Sequence, residues 1–232
     1  MQTPYPGISK NQAAWIAGIG LLLMTILAIY ASFAVFETYI NFDDAGTTIK
    51  NIQDNLSSFR LGLFSCLLVV ILDVLVAWAL FYYFREVHGS LSLITAWFRL
   101  VYSVIFAVAL GNLMDALNLL GGSEYLKVFS TDQLNARIML SFQGFYHLWD
   151  IGFIFFGLHL VGLGYLGFKS EFVPKILGII VLITGLSYLI DYMGKILSPD
   201  INWGISLILG YGELIFMIWL LIWGWRINKK DK

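Results

Sequence analysis

The sequence predicts an all-α integral membrane protein built as a bundle of six transmembrane helices. Of its 232 residues, 59% are hydrophobic and 12% are charged, whereas a soluble domain has about 25% charged residues. Its mean hydropathy is +0.80. Six apolar stretches reach the roughly 20 residues that a helix needs to cross the hydrocarbon core; they lie at residues 13–36, 61–84, 92–120, 136–167, 174–197 and 203–226.

The first stretch is expected to stay in the protein as a membrane span. Residues 13–36 far exceed the apolar core of a cleavable signal peptide, which is about 7 to 15 residues long, and only Lys10 precedes them. The connections between stretches are mostly short, which favours one transmembrane domain over residues 1–232 with sequence neighbours packed antiparallel.

Lysine and arginine residues predict the orientation. Both termini fall on the side that carries Lys10, Arg85, Lys169, Lys175 and the basic residues of 226–232. Because positive residues favour the cytoplasmic side, both termini are predicted to be cytoplasmic.

The connections carry three further local signals. Apolar residues recur at helical spacing over about 48–60 and are separated by polar ones, which predicts an amphipathic helix on the outer interface. Ser130 and Gln133 form a capping box ahead of the fourth span. Pro174 suits the first turn of the fifth span.

Composition also limits the partners. The net charge is −1 and the sequence pI is about 6.3, so nucleic acid is not expected as a partner, whereas the lipid bilayer is. No phosphate-binding P-loop occurs in the sequence. Any transport is therefore not driven directly by ATP through this chain.

Polar side chains inside the apolar stretches are the main functional signal, because an ionisable group in hydrocarbon costs several kcal/mol unless it faces the protein interior with a partner. Counting residues from the predicted span ends places one set near or outside the midplane: Asp73, Asn112, Asp115, Gln143, His147, Asp150, Asp191 and Glu213. Arg99 and His159 lie nearer the cytoplasm and are predicted to form a separate inner polar layer.

The outer set has an excess of negative charge. Five of its members are acids, and His147 is its one potential cation. Carboxylates crowded at low dielectric cannot all ionise unless a cation joins them, so this set is expected to bind a cation or to hold and exchange protons. The alternative is that these groups only hydrogen-bond the helices together.

Four of these residues could also bind a metal. His147, Asp150, Asp191 and Glu213 combine imidazole and carboxylate ligands, which suit a divalent metal such as zinc as cofactor. Their spacing matches no diagnostic metal motif.

Several motifs together resemble a bacterial membrane family catalogued as domain of unknown function 4386. They are Phe98-Arg99-Leu100-Val101, Tyr146-His147, Trp149-Asp150-Ile151-Gly152, the stretches 155–159, 172–178 and 185–191, and Gly212-Glu213-Leu214. The resemblance covers nearly the whole chain and implies a multi-helix fold in the bacterial cytoplasmic membrane. It implies no activity.

Three functions stay open at this point. The first is binding, with or without passage, of a cation or small polar molecule, with Asp73, His147, Asp150, Asp191 and Glu213 as ligands. The second is an intramembrane metal-dependent hydrolase that acts on lipid, in which the metal activates water and a carboxylate acts as general base. The third is an accessory subunit whose polar groups only lock helices together.

Overall fold

The computed structural model describes residues 7–198 and 203–226, and this part of the chain is helical. Six helical segments are long and apolar enough to cross a membrane, as predicted. The protein is therefore a multi-pass membrane protein in contact with lipid.

The first two segments flank a short helix. The first comprises α1 (Lys10–Ile29), a π-helical stretch (Tyr30–Phe36) and α2 (Glu37–Tyr39). The short helix α3 (Ala45–Asp54) follows, and α4 (Leu56–Phe84) is the second segment.

The other four segments follow with short connections. They are α5 (Gly89–Leu120), α6 (Thr131–Lys169), α7 (Lys175–Leu197), and a sixth segment made of α8 (Ile205–Leu209), α9 (Gly212–Trp219) and a π-helical end (Leu220–Gly224). With 39 residues, α6 is about 58 Å long, well beyond the roughly 30 Å of hydrocarbon.

The predicted capping box and the predicted amphipathic helix have different outcomes. The Ser130 N–H donates to Gln133 Oε1 at 2.9 Å, and the Gln133 N–H donates to Ser130 Oγ at 3.3 Å, which confirms the box. The helix predicted over about 48–60 is present as α3, with different ends. It begins at Ala45, where Asp44 accepts from the Thr47 N–H, and Asn55 ends it with a non-helical φ of −125°.

The Asp44 cap lies outside the membrane segments. The Thr47 hydroxyl group also donates a hydrogen bond to Asp44 Oδ2, with 2.6 Å between the two oxygen atoms. These hydrogen bonds from Thr47 hold the pKa of Asp44 below its ordinary value.

The chain folds into two compact units. The first contains the described parts of residues 1–22, 72–103 and 152–232, and the second contains residues 23–71 and 104–151. In the first unit, Tyr83 and Phe84 are fully buried and pack their rings against Phe172. In the second, Phe36 packs edge-on against Phe145 in an aromatic core.

Helices α6 and α7 approach closely through glycines of the first unit. A Cβ atom on Gly178 would lie 2.8 Å from the Cα atom of Phe168, and one on Gly157 would lie 3.0 Å from the carbonyl oxygen of Gly185. Small residues permit such contact between membrane helices. The glycines of the sequence Gly162-x-Gly164-x-x-Gly167 lie in the same helix, α6.

We expect Gly178→Ala to lower stability and Gly194→Ala, on the same helix, to leave it unchanged or raise it. A methyl group at Gly178 meets backbone atoms, whereas one at Gly194 meets nothing within 4 Å. Overpacking costs about 1–3 kcal/mol, and alanine is favoured over glycine in a helix by about 1 kcal/mol. Thermal unfolding in detergent, followed by tryptophan fluorescence, measures both; equal midpoints would contradict the close packing.

Candidate functional site

Four charged or titratable side chains from four membrane segments meet inside the first unit. Asp73 comes from α4, Arg99 from α5, His159 from α6 and Glu213 from the first turn of α9. Asp73, Arg99 and His159 are 0% exposed. We call these four residues the Arg99 cluster.

Arg99 connects the other three members. Its Nε donates to Asp73 Oδ1 at 2.8 Å, and its Nη1 donates to Glu213 Oε1 at 2.5 Å. The same Nη1 lies 3.1 Å from His159 Nε2. Buried arginine is tolerated only where hydrogen bonds and opposite charge replace its water, and here the guanidinium group has both.

The contacts of His159 determine its tautomer. A guanidinium group has no acceptor, so the close approach of Arg99 Nη1 requires His159 Nε2 to accept. The proton of the neutral ring is therefore on Nδ1, which donates to the Thr95 carbonyl oxygen at 2.9 Å. His159 thus acts in the cluster as a neutral acceptor that orients Arg99.

Two buried polar atoms around the cluster have no hydrogen-bond partner among the described residues. They are Asp73 Oδ2 and Thr95 Oγ1. Buried polar atoms are ordinarily satisfied, and those that are not commonly mark a site for water or an ion. Because Glu213 alone in the cluster has measurable side-chain exposure, at 17%, it is the member nearest the surface of the unit.

The charges within the cluster do not balance. Arg99 supplies one positive charge and is paired with two carboxylates, while His159 is neutral. With both acids ionised, the cluster carries one net negative charge in a buried environment, where an uncompensated charge is costly. One proton or one monovalent cation would balance it.

The four residues share one depth along their helices. Each lies ten or eleven residues from a helix end, counted to Phe84, Gly89, Lys169 and Gly224. At 1.5 Å per residue this is about 15–17 Å, half of the hydrocarbon thickness. Arg99, predicted to form an inner layer with His159, contacts His159 and also Asp73 and Glu213 of the predicted outer set, so the predicted separation of the two layers is wrong.

The sixth segment is broken next to the cluster. Helix α8 ends at Leu209 and α9 begins at Gly212. The Thr184 hydroxyl of α7 donates to the Leu209 carbonyl at 2.6 Å and accepts the Gly212 N–H at 3.1 Å. Thr184 thus satisfies backbone groups freed by the break, as discontinuous membrane helices require, and Glu213 follows directly in the positive first turn of α9.

Asp191, predicted as a ligand, has a structural contact instead. Its carboxylate accepts the backbone N–H of Ile205 at 3.1 Å and that of Ser206 at 2.5 Å. It therefore satisfies the N-terminal donors of α8 from the neighbouring helix. A role for Asp191 in binding stays a prediction.

The predicted polar face of α6 does not point uniformly inward. Gln143 and His147 are exposed and Asp150 is half-buried, whereas His159 is fully buried. The described residues contain no group of three or more His, Cys, Asp or Glu side chains placed to hold a metal ion. The predicted metal set of His147, Asp150, Asp191 and Glu213 is therefore not assembled.

Asn112 and Asp115 belong to the second unit and are not part of the Arg99 cluster. Both line a cavity of about 370 Å³ with residues of α6. The structure thus brings Asp73 and Glu213 of the predicted outer set together around Arg99. Arg99 itself was predicted to lie in the inner layer.

Sequence reasoning missed two residues that support the cluster. Thr95 lies one helical turn before Arg99, and its carbonyl accepts the hydrogen bond from His159, while Thr184 bridges the broken helix. A hydroxyl or carbonyl contact of this kind leaves no mark on hydropathy. The pair of glycines at Gly210 and Gly212, immediately before Glu213, was the available signal for the break.

Comparisons with known proteins identify relatives without assigning an activity. The family model described as "Domain of unknown function (DUF4386)" matches residues 16–224. An "Uncharacterized protein" of Archaeoglobus fulgidus is 32% identical over 162 residues, covering 70% of this chain and 83% of that protein. No solved structure matches the chain. Because this relative is archaeal, a bacterial origin stays a prediction.

We expect Arg99→Gln to destabilise the protein strongly and Glu213→Gln to change its stability little. Loss of Arg99 leaves two buried carboxylates without their cation, which costs about 3–5 kcal/mol. Loss of the Glu213 charge instead leaves Arg99 paired with Asp73 at equal and opposite charge.

Thermal unfolding of the purified variants in detergent measures this difference. Arg60→Gln is the matched control, because Arg60 is exposed and such substitutions usually change stability by less than about 0.5 kcal/mol. If Arg99→Gln behaves like Arg60→Gln, the buried pairing is contradicted.

We expect Thr184→Val, which keeps the side-chain shape, to destabilise the protein by about 1–3 kcal/mol because the Leu209 carbonyl and the Gly212 N–H lose their partner. Thr184→Ser keeps the hydroxyl and should retain most of the stability. Hydrogen exchange of the amides over 205–213 is the local readout: faster exchange in Thr184→Val alone supports the bridge, and equal exchange in both variants excludes it.

Proposed function

The chain belongs to the DUF4386 family of membrane proteins, and from the geometry of its interior we propose that it binds one proton or one monovalent cation at the Arg99 cluster and passes it across the membrane. The observation that carries this proposal is the sharing of a single Arg99 between Asp73 and Glu213. With both acids ionised, this arrangement has one uncompensated negative charge, which one added positive charge would balance.

The position of the cluster supports the proposal. Its members lie about 15–17 Å along their helices from one end, near the middle of the hydrocarbon layer. Substrate and ion sites of secondary transporters commonly lie near the midplane and beside discontinuous helices. Glu213 meets both conditions because it opens the second half of a broken segment.

The two carboxylates have different roles in this proposal. Asp73 is fully buried and bonded to Arg99 Nε, so it acts as the permanent counter-charge. Glu213 is partly exposed, so it receives and releases the exchangeable charge. Because His159 already donates Nδ1–H to Thr95 and accepts from Arg99, it positions the guanidinium group rather than carrying the exchangeable proton.

The accessory-subunit hypothesis has one observation in its favour: the burial of Asp73, Arg99 and His159 also suits a cluster that only fixes the helices. The lipid hydrolase hypothesis has no comparable support, since the described residues do not assemble three metal ligands. Ion flux through the reconstituted protein separates passage from a purely structural role.

We expect reconstituted protein to speed the decay of a pH or monovalent-cation gradient across liposomes. The rate should fall at least about tenfold in Glu213→Gln, because the neutral amide leaves the cluster balanced without an added cation. A pH-sensitive dye or a cation-sensitive dye inside the vesicles measures the decay under an imposed gradient of H⁺, Na⁺ or K⁺.

Asp132→Asn is the control, because Asp132 is an exposed acid in the first turn of α6. It should keep the wild-type rate. A wild-type protein that moves none of the three ions, with Glu213→Gln equally stable and equally inactive, would contradict passage and favour the accessory role.

A further inference from the structure

Tyr188 of α7 is half-buried and lies beside the break in the sixth segment. Its ring atom Cε2, which neighbours the carbon that carries the hydroxyl group, would lie 3.5 Å from a Cβ atom on Gly210. The charge of Glu213, three residues further along the chain, acts on the Tyr188 hydroxyl group. Among the described residues this hydroxyl group has no hydrogen-bond partner. Tyr188 is therefore placed to exchange hydrogen bonds near the partly exposed carboxylate of the cluster.

The Tyr188 ring also belongs to a group of aromatic side chains next to the Arg99 cluster. Its centre lies 5.4 Å from the centre of the Phe156 ring, and the Arg99 guanidinium carbon lies 5.7 Å from that same centre. The Phe153 ring packs against Tyr188 at 5.4 Å and against Tyr192 at 4.7 Å. These ring contacts fix the position of Tyr188 relative to the cluster.

Toward the other end of the sixth segment, the side chains after Glu213 are apolar or already bonded. Phe216, one turn after Glu213, is 2% exposed. Tyr83, in the aromatic core of this unit, is fully buried and donates its hydroxyl proton to the Gly224 carbonyl at 3.1 Å. The Tyr83 hydroxyl group is thus committed to the backbone, whereas the Tyr188 hydroxyl group can both donate and accept.

The contacts of Arg99 favour a proton over a metal cation as the exchanged charge. Arg99 donates to both Asp73 and Glu213, so a metal ion on either carboxylate would lie beside a guanidinium group of like charge. A metal cation also needs several ligand atoms in place of its water, and Arg99 already occupies His159 Nε2 and one oxygen of each acid. A proton needs one oxygen atom and adds no separate ion.

The titratable groups around Glu213 allow this protonation. They come from four helices and are Asp73, Arg99, His159 and Tyr188. Arg99 keeps its charge because a guanidinium group is not deprotonated in proteins, and the two contacts of His159 hold it neutral. Protonation of Glu213 therefore leaves Arg99 and Asp73 as a balanced pair.

We propose that the charge exchanged at the Arg99 cluster is a proton, and that Tyr188 passes it between Glu213 and water at the surface of the unit. This inference rests on the proposed function. The Tyr188 hydroxyl group donates its proton to the Glu213 carboxylate and accepts another from a hydronium ion, which becomes water. Tyrosine is thus neutral before and after the step, and release from Glu213 follows the reverse order.

The first experiment identifies the ion in liposomes that contain the full chain. The wild-type protein should dissipate an imposed pH gradient and leave Na⁺ and K⁺ gradients as stable as in empty liposomes. Passage of Na⁺ or K⁺ would overturn the proton as the exchanged charge and leave the proposed function standing. If none of the three ions passes, the proposed function and this inference are both contradicted.

The second experiment tests the relay by removing one oxygen atom. Tyr188→Phe keeps the ring and its packing, so the thermal unfolding midpoint in detergent should stay unchanged while proton flux falls at least about tenfold. Tyr188→His should restore much of the flux, because imidazole also donates and accepts protons. Tyr165→Phe, which removes the hydroxyl group of an exposed tyrosine on α6, is the control and should keep the wild-type rate.

Two outcomes of the second experiment would overturn the relay. One is equal proton flux in Tyr188→Phe and Tyr165→Phe; the proposed function then still stands if Glu213→Gln slows the flux. The other is an equal loss of flux in Tyr188→Phe and Tyr188→His at unchanged unfolding midpoints, which would give Tyr188 a structural role.

Discussion

The pairing of Arg99 with two carboxylates is the interaction on which the interior of the first unit depends. Removing an arginine and two acids from water costs several kcal/mol for each ion, and only good geometry with further hydrogen bonds offsets that cost. Here the donors of Arg99 meet Asp73, Glu213 and His159. Because each partner comes from a different segment, these contacts fix the relative depth of four helices.

The break in the sixth segment follows from the same requirement. Glu213 reaches Arg99 from the first turn of α9, where backbone N–H groups without helical partners favour negative charge. Starting a helix in the middle of a membrane segment frees backbone groups that lipid cannot satisfy. Thr184 binds two of them, and Asp191 similarly binds the first amides of α8. Two polar residues of α7 thus make the broken segment stable.

The sequence predicted the six segments and all four residues of the cluster, but not their meeting in one cluster. Depth was counted from predicted ends, and α5 begins at Gly89 rather than at residue 92. Three residues correspond to about 4.5 Å, which was enough to separate Arg99 from Asp73. The inward direction of Gln143 and His147 was also wrong, because hydropathy gives the period of a helix and not the location of its neighbours.

Opposite charges are in contact in the Arg99 cluster but apart at the cavity between α5 and α6, and the difference in burial explains this. In the Arg99 cluster the charged groups are desolvated, so opposite charges must touch, and the imbalance is limited to the single unit that a proton or cation can supply. At the cavity of α5 and α6, Asp115 and Arg137 are exposed and can remain apart. Exposed charges keep much of their hydration and therefore need no partner, whereas the desolvated charges of the Arg99 cluster are stable only in contact with one another.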